Sequence, residues 1–221
     1  MDRPAAFPPG IGSLMRSVPV PAGSAVLVML AAWTVLLSGS MLSSLIGEES
    51  ATLLVFGFSA ALLIATRRPA VVRPRLRDAA LLALTIALGF AVYPPLGSAI
   101  AVLGLALGLA PVLAAPPIAS GLPLLIAVVV AAPVFEELLY RERLLDAIAA
   151  TPLGTGGAIF LTSALFALSH LTPWQMLGTF LVGVGLALIR RVSGTVTACI
   201  GLHAGLNLRS VCDCAVEALH G

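Results

Sequence analysis

The sequence predicts an all-α protein, a polytopic bundle of about eight transmembrane helices. Hydrophobic residues make up 59% of the 221-residue chain and charged residues only 10%, whereas a soluble domain carries charge on about 25% of its residues. The mean hydropathy is +1.08. Apolar runs recur along the whole chain, and helices cross a bilayer readily because they satisfy their own backbone hydrogen bonds.

The apolar runs predict where each helix begins and ends. Each run is bounded by charged residues, proline or glycine, and a membrane-spanning helix needs about 20 mainly apolar residues. The third and fourth runs, joined through YPPLG, are short, so they predict either two crossings or a pair in which one segment is re-entrant. The eight expected helices cover residues 24–46, 51–66, 79–93, 96–114, 120–148, 156–172, 174–191 and 194–211.

The chain is expected to form one helical membrane domain, because no soluble domain, long linker or internal repeat interrupts the apolar runs. The first residues are proline-rich and lack the order of a removable signal peptide, so they predict a disordered tail. The expected parts are an N-terminal tail at 1–23, N-terminal transmembrane helices at 24–115, a transmembrane core at 120–211 and a C-terminal tail at 212–221.

Charge placement predicts which helix ends face the cytoplasm. The connection RRPAVVRPRLRD at residues 67–78 carries five arginines and is therefore cytoplasmic by the positive-inside rule. The acidic GEES at 47–50 then lies outside. Eight simple crossings would place four later arginines outside, against the rule, so the parity of the C-terminal half stays open. These are Arg141, Arg143, Arg190 and Arg191.

Composition argues against two classes of site. The formal net charge of +2 is too small and too scattered for a nucleic-acid-binding surface. The three cysteines, Cys199, Cys212 and Cys214, lack the spacing of a zinc site, and an odd number does not make a disulfide framework.

Ionisable side chains inside the apolar runs are the candidates for function, because a charge at bilayer depth costs at least a few kcal/mol. Glu137 and Arg141 are four residues apart, which predicts an ion pair on one helix face. Glu136 lies about 100° around the same helix and is free to face another neighbour. By the same spacing rule, Phe166 shares a face with His170, and His203 shares one with Asn207.

Three helices therefore each present polar side chains that could meet inside the bundle. Taken singly, the glutamates could mark an interfacial helix end, the histidines could be hydrogen-bonded core residues, and the asparagine could join helices. Taken together, glutamate, histidine and asparagine are the side chains that general acid–base chemistry uses. We therefore favour a catalytic cluster.

The stretches EELLYR (136–141), FALSH (166–170) and HAGLN (203–207) resemble the EExxxR, FxxxH and HxxxN motifs of the CPBP family of intramembrane proteases. That family includes the CAAX prenyl proteases and the bacteriocin-processing or immunity (Abi) proteins. The resemblance covers residues 120–211 and marks them as the catalytic core. One departure is Glu142, which stands where the family usually has glycine.

The resemblance implies a role for each motif residue. Glu136 is expected to be the general base, with His170 as its partner in holding and activating a water molecule. His203 and Asn207 are expected to form the oxyanion site. The residues expected to support the site structurally are Glu137, Arg141 and Phe166.

The resemblance also admits a metal-dependent version of the chemistry. Glu136, His170 and His203 would then be the ligands of zinc or another divalent metal, with water in the fourth position. The sequence lacks HExxH, so no single helix presents two histidine ligands in that way. We expect a metal-free enzyme without a cofactor.

The leading prediction is an intramembrane endopeptidase, placed in a bacterial cytoplasmic membrane, that hydrolyses membrane-associated peptides or proteins. Its expected partners are that substrate and the lipid bilayer, with no nucleic acid. One alternative is a small transporter with a Glu/His proton relay, against which the lack of inverted repeats weighs. Another is a catalytically silent immunity protein, against which the complete set of motif residues weighs.

Overall fold

The computed structural model describes residues 46–65, 76–109, 122–170 and 172–220, and these residues form helices without any strand. This confirms the all-α prediction. The expected helix at 24–46 lies outside the described residues, apart from Ile46. The helices are α1 Glu48–Ala65, α2 Leu76–Ala106, α3 Leu122–Ala149, α4 Gly154–Leu168, α5 Pro173–Ser193 and α6 Val196–His220.

Among the described helices, α2, α3 and α5 are long and apolar enough to cross a membrane. Shorter apolar helices occur at Ser50–Ala61 in α1 and at Gly154–Leu168. Large hydrophobic side chains such as Phe58 and Leu84 are exposed on the outside of the bundle, as lipid-facing side chains would be. The chain is therefore an integral membrane protein. Helix α6 continues to His220, through the segment that we expected to be a C-terminal tail.

The prediction of two separate segments at 79–93 and 96–114 is wrong, because α2 is one helix of 31 residues with Pro94 and Pro95 inside it. Adjacent prolines remove two backbone donors, but both losses fall in one turn. Membrane helices tolerate such a defect when nearby groups satisfy the freed carbonyls. At 1.5 Å per residue, α2 is about 46 Å long, which is enough to cross a bilayer once.

One helix in place of two changes the expected orientation of the C-terminal half. Asp146 forms ion pairs with Arg190 at 3.2 Å and Arg191 at 3.4 Å, so the C-terminal ends of α3 and α5 lie at the same level. If each described helix crosses once, these ends face the same side as the arginine-rich connection at 67–78. Arg190, Arg191 and the 67–78 connection then satisfy the positive-inside rule, and we expect this end of the bundle to be cytoplasmic.

Cysteine accessibility checks this orientation. Leu153 follows α3 and Leu107 follows α2, and they are similarly exposed, at 59% and 60%. In a background without the native cysteines, Leu153→Cys is expected to react with an impermeant maleimide from the cytoplasmic face only. Leu107→Cys is expected to react from the opposite face only. Labelling of both from one face would contradict the orientation.

Helix α3 packs against α1 and α4 through aromatic side chains. The Phe56 and Phe135 rings lie 5.8 Å apart at the α1 contact, and the Tyr140 and Phe166 rings lie 5.4 Å apart at the α4 contact. All but Phe56 of these four side chains are at most 2% exposed. The part of α3 that contains Glu136 and Glu137 is therefore tightly packed within the bundle.

Helices α2 and α6 approach closely along a glycine seam, formed by Gly89, Gly201 and Gly205. A Cβ atom at Gly201 would collide with the Thr85 hydroxyl, and one at Gly205 would collide with the Ile86 carbonyl. Small residues allow such close packing of membrane helices. The seam fixes the position of α6 and hence of His203 between its two glycines.

Two segments of α3, Ala127–Ala131 and Leu138–Leu144, are π-helical. The Ala132 N–H donates to the Ala127 carbonyl, and the Leu145 N–H donates to the Tyr140 carbonyl, in each case five residues back. Short π segments within α-helices occur frequently at functional sites. The single α-helical stretch between them, Ala132–Glu137, ends with both glutamates.

Candidate active site

Glu137 and Arg141 form the ion pair that their spacing predicts, with Glu137 Oε1 3.1 Å from Arg141 Nη1 and both side chains at most 1% exposed. Arg141 Nη2 also donates to the Gly183 carbonyl on α5 at 3.2 Å. Its guanidinium carbon lies 4.7 Å from the centre of the Phe166 ring on α4, within the range of a cation–π interaction. Arg141 thus joins α3, α4 and α5 at one buried point.

His203 lies between the two glutamates. Its Nδ1 is 3.0 Å from Glu137 Oε1, and its Nε2 is 3.6 Å from Glu136 Oε2. The sequence predicted His203 beside Asn207 in an oxyanion site, but it did not predict the contacts of His203 with both carboxylates. The side chain of Glu136 is 14% exposed and that of Glu137 is 0% exposed. The two adjacent glutamates therefore have different environments, with Arg141 bound to one of them.

His170 follows the C-terminal end of α4. Its Nδ1 lies 3.2 Å from the Phe166 carbonyl and 3.3 Å from Ser169 Oγ. A carbonyl oxygen only accepts, so this contact places a proton on Nδ1. The lone pair of the neutral imidazole is then on Nε2.

The Phe166 ring separates and supports the two histidines. Its centre lies 5.4 Å from that of His170 and 5.7 Å from that of His203, with edge-to-face geometry in both cases. The side chain is 1% exposed. Since Arg141 lies over the same ring, Phe166 contacts the groups of α3, α4 and α6 from which the site is built.

Asn207 is bound to the backbone of α3. Its Nδ2 donates to the Val128 carbonyl at 2.9 Å, and Val128 belongs to the first π-helical segment. A side-chain amide has two N–H donors, so this bond uses one of them. Asn207 therefore joins α6 to α3 close to His203, one helical turn away.

Residues 118–209 match the family model of the type II CAAX prenyl endopeptidase Rce1-like. This segment is an Rce1-like domain of the CPBP/Abi family. No curated protein and no solved structure matches the chain. The match begins just before α3 and ends within α6, so it contains every motif residue, and it confirms the resemblance of the three motifs to that family.

The Rce1-like domain belongs to a family of membrane peptidases. This match supports the prediction that the protein is a peptidase whose substrate is a membrane-associated protein. The family match does not distinguish a glutamate base from a metal ion. Glu136 Oε2 and His203 Nε2, 3.6 Å apart, are close enough to be two ligands of one ion. Among the described residues, His170 does not join them in a group of three metal-binding side chains.

Two arginine contacts near the C-terminal end of α3 were not predicted from the sequence. Arg143, considered only for its charge, donates through Nη2 to the Leu63 carbonyl near the end of α1 at 3.1 Å. Arg191 Nη2 donates to the Leu145 carbonyl at 3.3 Å. Basic side chains near a helix C-terminus bind its free carbonyls, but only the fold shows which helix they reach.

Proposed function

We propose that the chain is an intramembrane endopeptidase that hydrolyses peptide bonds of membrane-associated proteins with a water molecule activated by Glu136. The observation that carries the proposal is the contact of Glu136 with His203 inside an Rce1-like domain. Arg141 binds the neighbouring carboxylate of Glu137. Glu136 is thus the partly exposed carboxylate of the pair and the one available to a water molecule.

In the proposed reaction, Glu136 accepts a proton from water while the water oxygen attacks the scissile carbonyl carbon. A general base needs only hydrogen-bond reach to the proton that it accepts. His170, which donates from Nδ1 to the Phe166 carbonyl and so can accept at Nε2, is the second group that holds the water. The proton finally reaches the amine nitrogen of the leaving peptide as the C–N bond breaks.

Negative charge develops on the carbonyl oxygen of the substrate, and N–H donors placed there lower the barrier. We assign this role to the second N–H of Asn207 and to Nε2 of His203 once that nitrogen has received the proton of the attacking water. The bond from Asn207 to Val128 supports the assignment because it holds the amide in one orientation. Preorganised donors stabilise the oxyanion without reorganising during the reaction.

The proposed substrate is a peptide segment attached to the same membrane. Such a substrate reaches a site within the bundle by diffusing in the bilayer. Peptide hydrolysis also needs water, so the helices must admit it at the depth of Glu136. A membrane-bound protein tail satisfies both requirements.

A cleavage assay in the presence of a chelator tests the proposal and its metal-free chemistry together. The full chain, purified in detergent and reconstituted in nanodiscs, is incubated with a library of membrane-tethered peptides, and the products are read by mass spectrometry. We expect cleavage at defined bonds, unchanged after exhaustive treatment with EDTA. Activity that disappears with EDTA and returns with Zn²⁺ would refute the metal-free version. A complete lack of cleavage would count against the peptidase itself.

A further inference from the structure

We propose that Glu137 is a positioning residue for His203, which keeps the imidazole proton on Nδ1 and directs Nε2 toward Glu136. This goes beyond the structural role expected for Glu137, the ion pair with Arg141. The catalytic consequence rests on the proposed function, whereas the position of the proton does not.

The first step is the charge state of Glu137. Its Oε1 lies 3.1 Å from Arg141 Nη1, and both side chains are at most 1% exposed. Arginine remains protonated in proteins, so Glu137 is the anion of this buried ion pair. Glu137 is therefore a carboxylate, and a carboxylate is an acceptor only.

The second step is the proton on His203. Glu137 Oε1 lies 3.0 Å from His203 Nδ1, which is a hydrogen-bond distance. Because the carboxylate only accepts, Nδ1 must carry the proton that forms this bond. A hydrogen bond at one ring nitrogen of histidine determines the state of the other. In the neutral imidazole, Nε2 consequently has the lone pair.

The third step is the orientation of the ring. His203 is 6% exposed, and the edge-to-face contact with Phe166 at 5.7 Å opposes rotation of the imidazole. Nε2 then lies 3.6 Å from Glu136 Oε2. The two glutamates thus contact different nitrogens of the same ring. Nδ1 is held by Glu137, and Nε2 faces Glu136 and is the nitrogen that takes part in the proposed reaction.

The arrangement provides a path for the proton of the attacking water. Glu136 takes this proton as the new C–O bond forms, and Nε2 of His203 receives it from Glu136. The imidazolium, with Nδ1 still bound to Glu137, donates from Nε2 to the developing oxyanion and then to the leaving amine as the C–N bond breaks. The other proton of the water stays on the attacking oxygen, which becomes part of the new carboxyl group. With the proton on Nε2 from the start, His203 would be unable to accept it there.

Nitrogen-15 NMR of histidine-labelled full chain in nanodiscs tests the position of the proton. The chain has only three histidines, so the spectrum is simple, and His203→Gln identifies the signal of interest. We expect the neutral imidazole of His203 in the wild type to show a protonated Nδ1 and an unprotonated Nε2. An unprotonated Nδ1 in the wild type would overturn the proposal.

Two variants test whether Glu137 is the cause. In Glu137→Gln a neutral acceptor replaces a charged one, so the Nδ1 proton resonance is expected to move upfield, since charge-assisted hydrogen bonds are stronger. Glu137→Leu combined with Arg141→Met removes both charges with residues of similar size, which a buried pair can tolerate. In this double variant we expect loss of the Nδ1-protonated form. A resonance unchanged in either folded variant would contradict the proposal, and Glu142→Gln is the control in which no change is expected.

Steady-state kinetics separates the positioning role from the proposed peptidase function. Glu137→Gln is expected to lower kcat by about 100-fold or more while KM changes less than about twofold, as for an acid that orients a catalytic histidine. An unchanged kcat in a cleaving enzyme would refute the role of Glu137 alone. The NMR result is independent of cleavage, so it remains decisive if the chain proves not to be a peptidase.

Discussion

Glu136→Gln is expected to lower kcat/KM for a membrane-tethered peptide by about 10²–10⁴-fold, the contribution that a general base typically makes. Glutamine has the same size as glutamate but does not accept a proton at neutral pH. Its amide can still lie beside His203 Nε2, 3.6 Å from the present carboxylate oxygen. We therefore expect the thermal unfolding midpoint to stay close to that of the wild type, so that the loss is catalytic.

Glu142→Gln is the matched control for this substitution. It makes the same chemical change in the same helix, outside the three motifs. We expect its kcat/KM to remain within about threefold of the wild-type value, because the residue does not belong to the proposed machinery. Equal activity of Glu136→Gln and wild type would remove Glu136 from the mechanism.

Arg141→Ala is expected to destabilise the protein by about 3–5 kcal/mol, since it leaves the carboxylate of Glu137 buried without its cation. It also removes the hydrogen bond to the Gly183 carbonyl and the contact with the Phe166 ring. For a chain of this size, the expected fall in thermal midpoint is roughly 6–20 °C. Purification yield and thermal unfolding in detergent measure the effect.

Arg191→Ala provides the comparison. Arg191 is also paired with a carboxylate, that of Asp146 at 3.4 Å, but its side chain is 30% exposed. Exposed ion pairs contribute about 0–1 kcal/mol, so the thermal midpoint of this variant is expected to stay within a few degrees of the wild type. If Arg141→Ala behaved in the same way, the buried pair would not hold the fold.

Local spacing was enough to predict the ion pair of Glu137 with Arg141, because residues four apart on a helix are neighbours whatever surrounds them. Hydropathy likewise predicted helices without strands. The shared face of Phe166 and His170 follows from the same periodicity, and the structure places the Phe166 carbonyl and ring next to His170.

Contacts between distant parts of the chain had no such signal. His203 and Glu137 are 66 residues apart, and Asn207 and Val128 are 79 apart. Spacing shows which side chains share a face, but not which helix that face meets. The two prolines in α2 were also misinterpreted as a break, because a soluble helix seldom tolerates what a membrane helix can accommodate.

The glycine seam between α2 and α6 makes the matched segment depend on a helix outside it. The Rce1-like match begins at residue 118, yet Gly201 and Gly205, inside the match, fit against Thr85 and Ile86, outside it. A single methyl group added on the α6 side would push His203 away from both glutamates. The position of His203 thus depends on a helix that lies outside the matched segment, and a substitution on either side of the seam reaches the two glutamates.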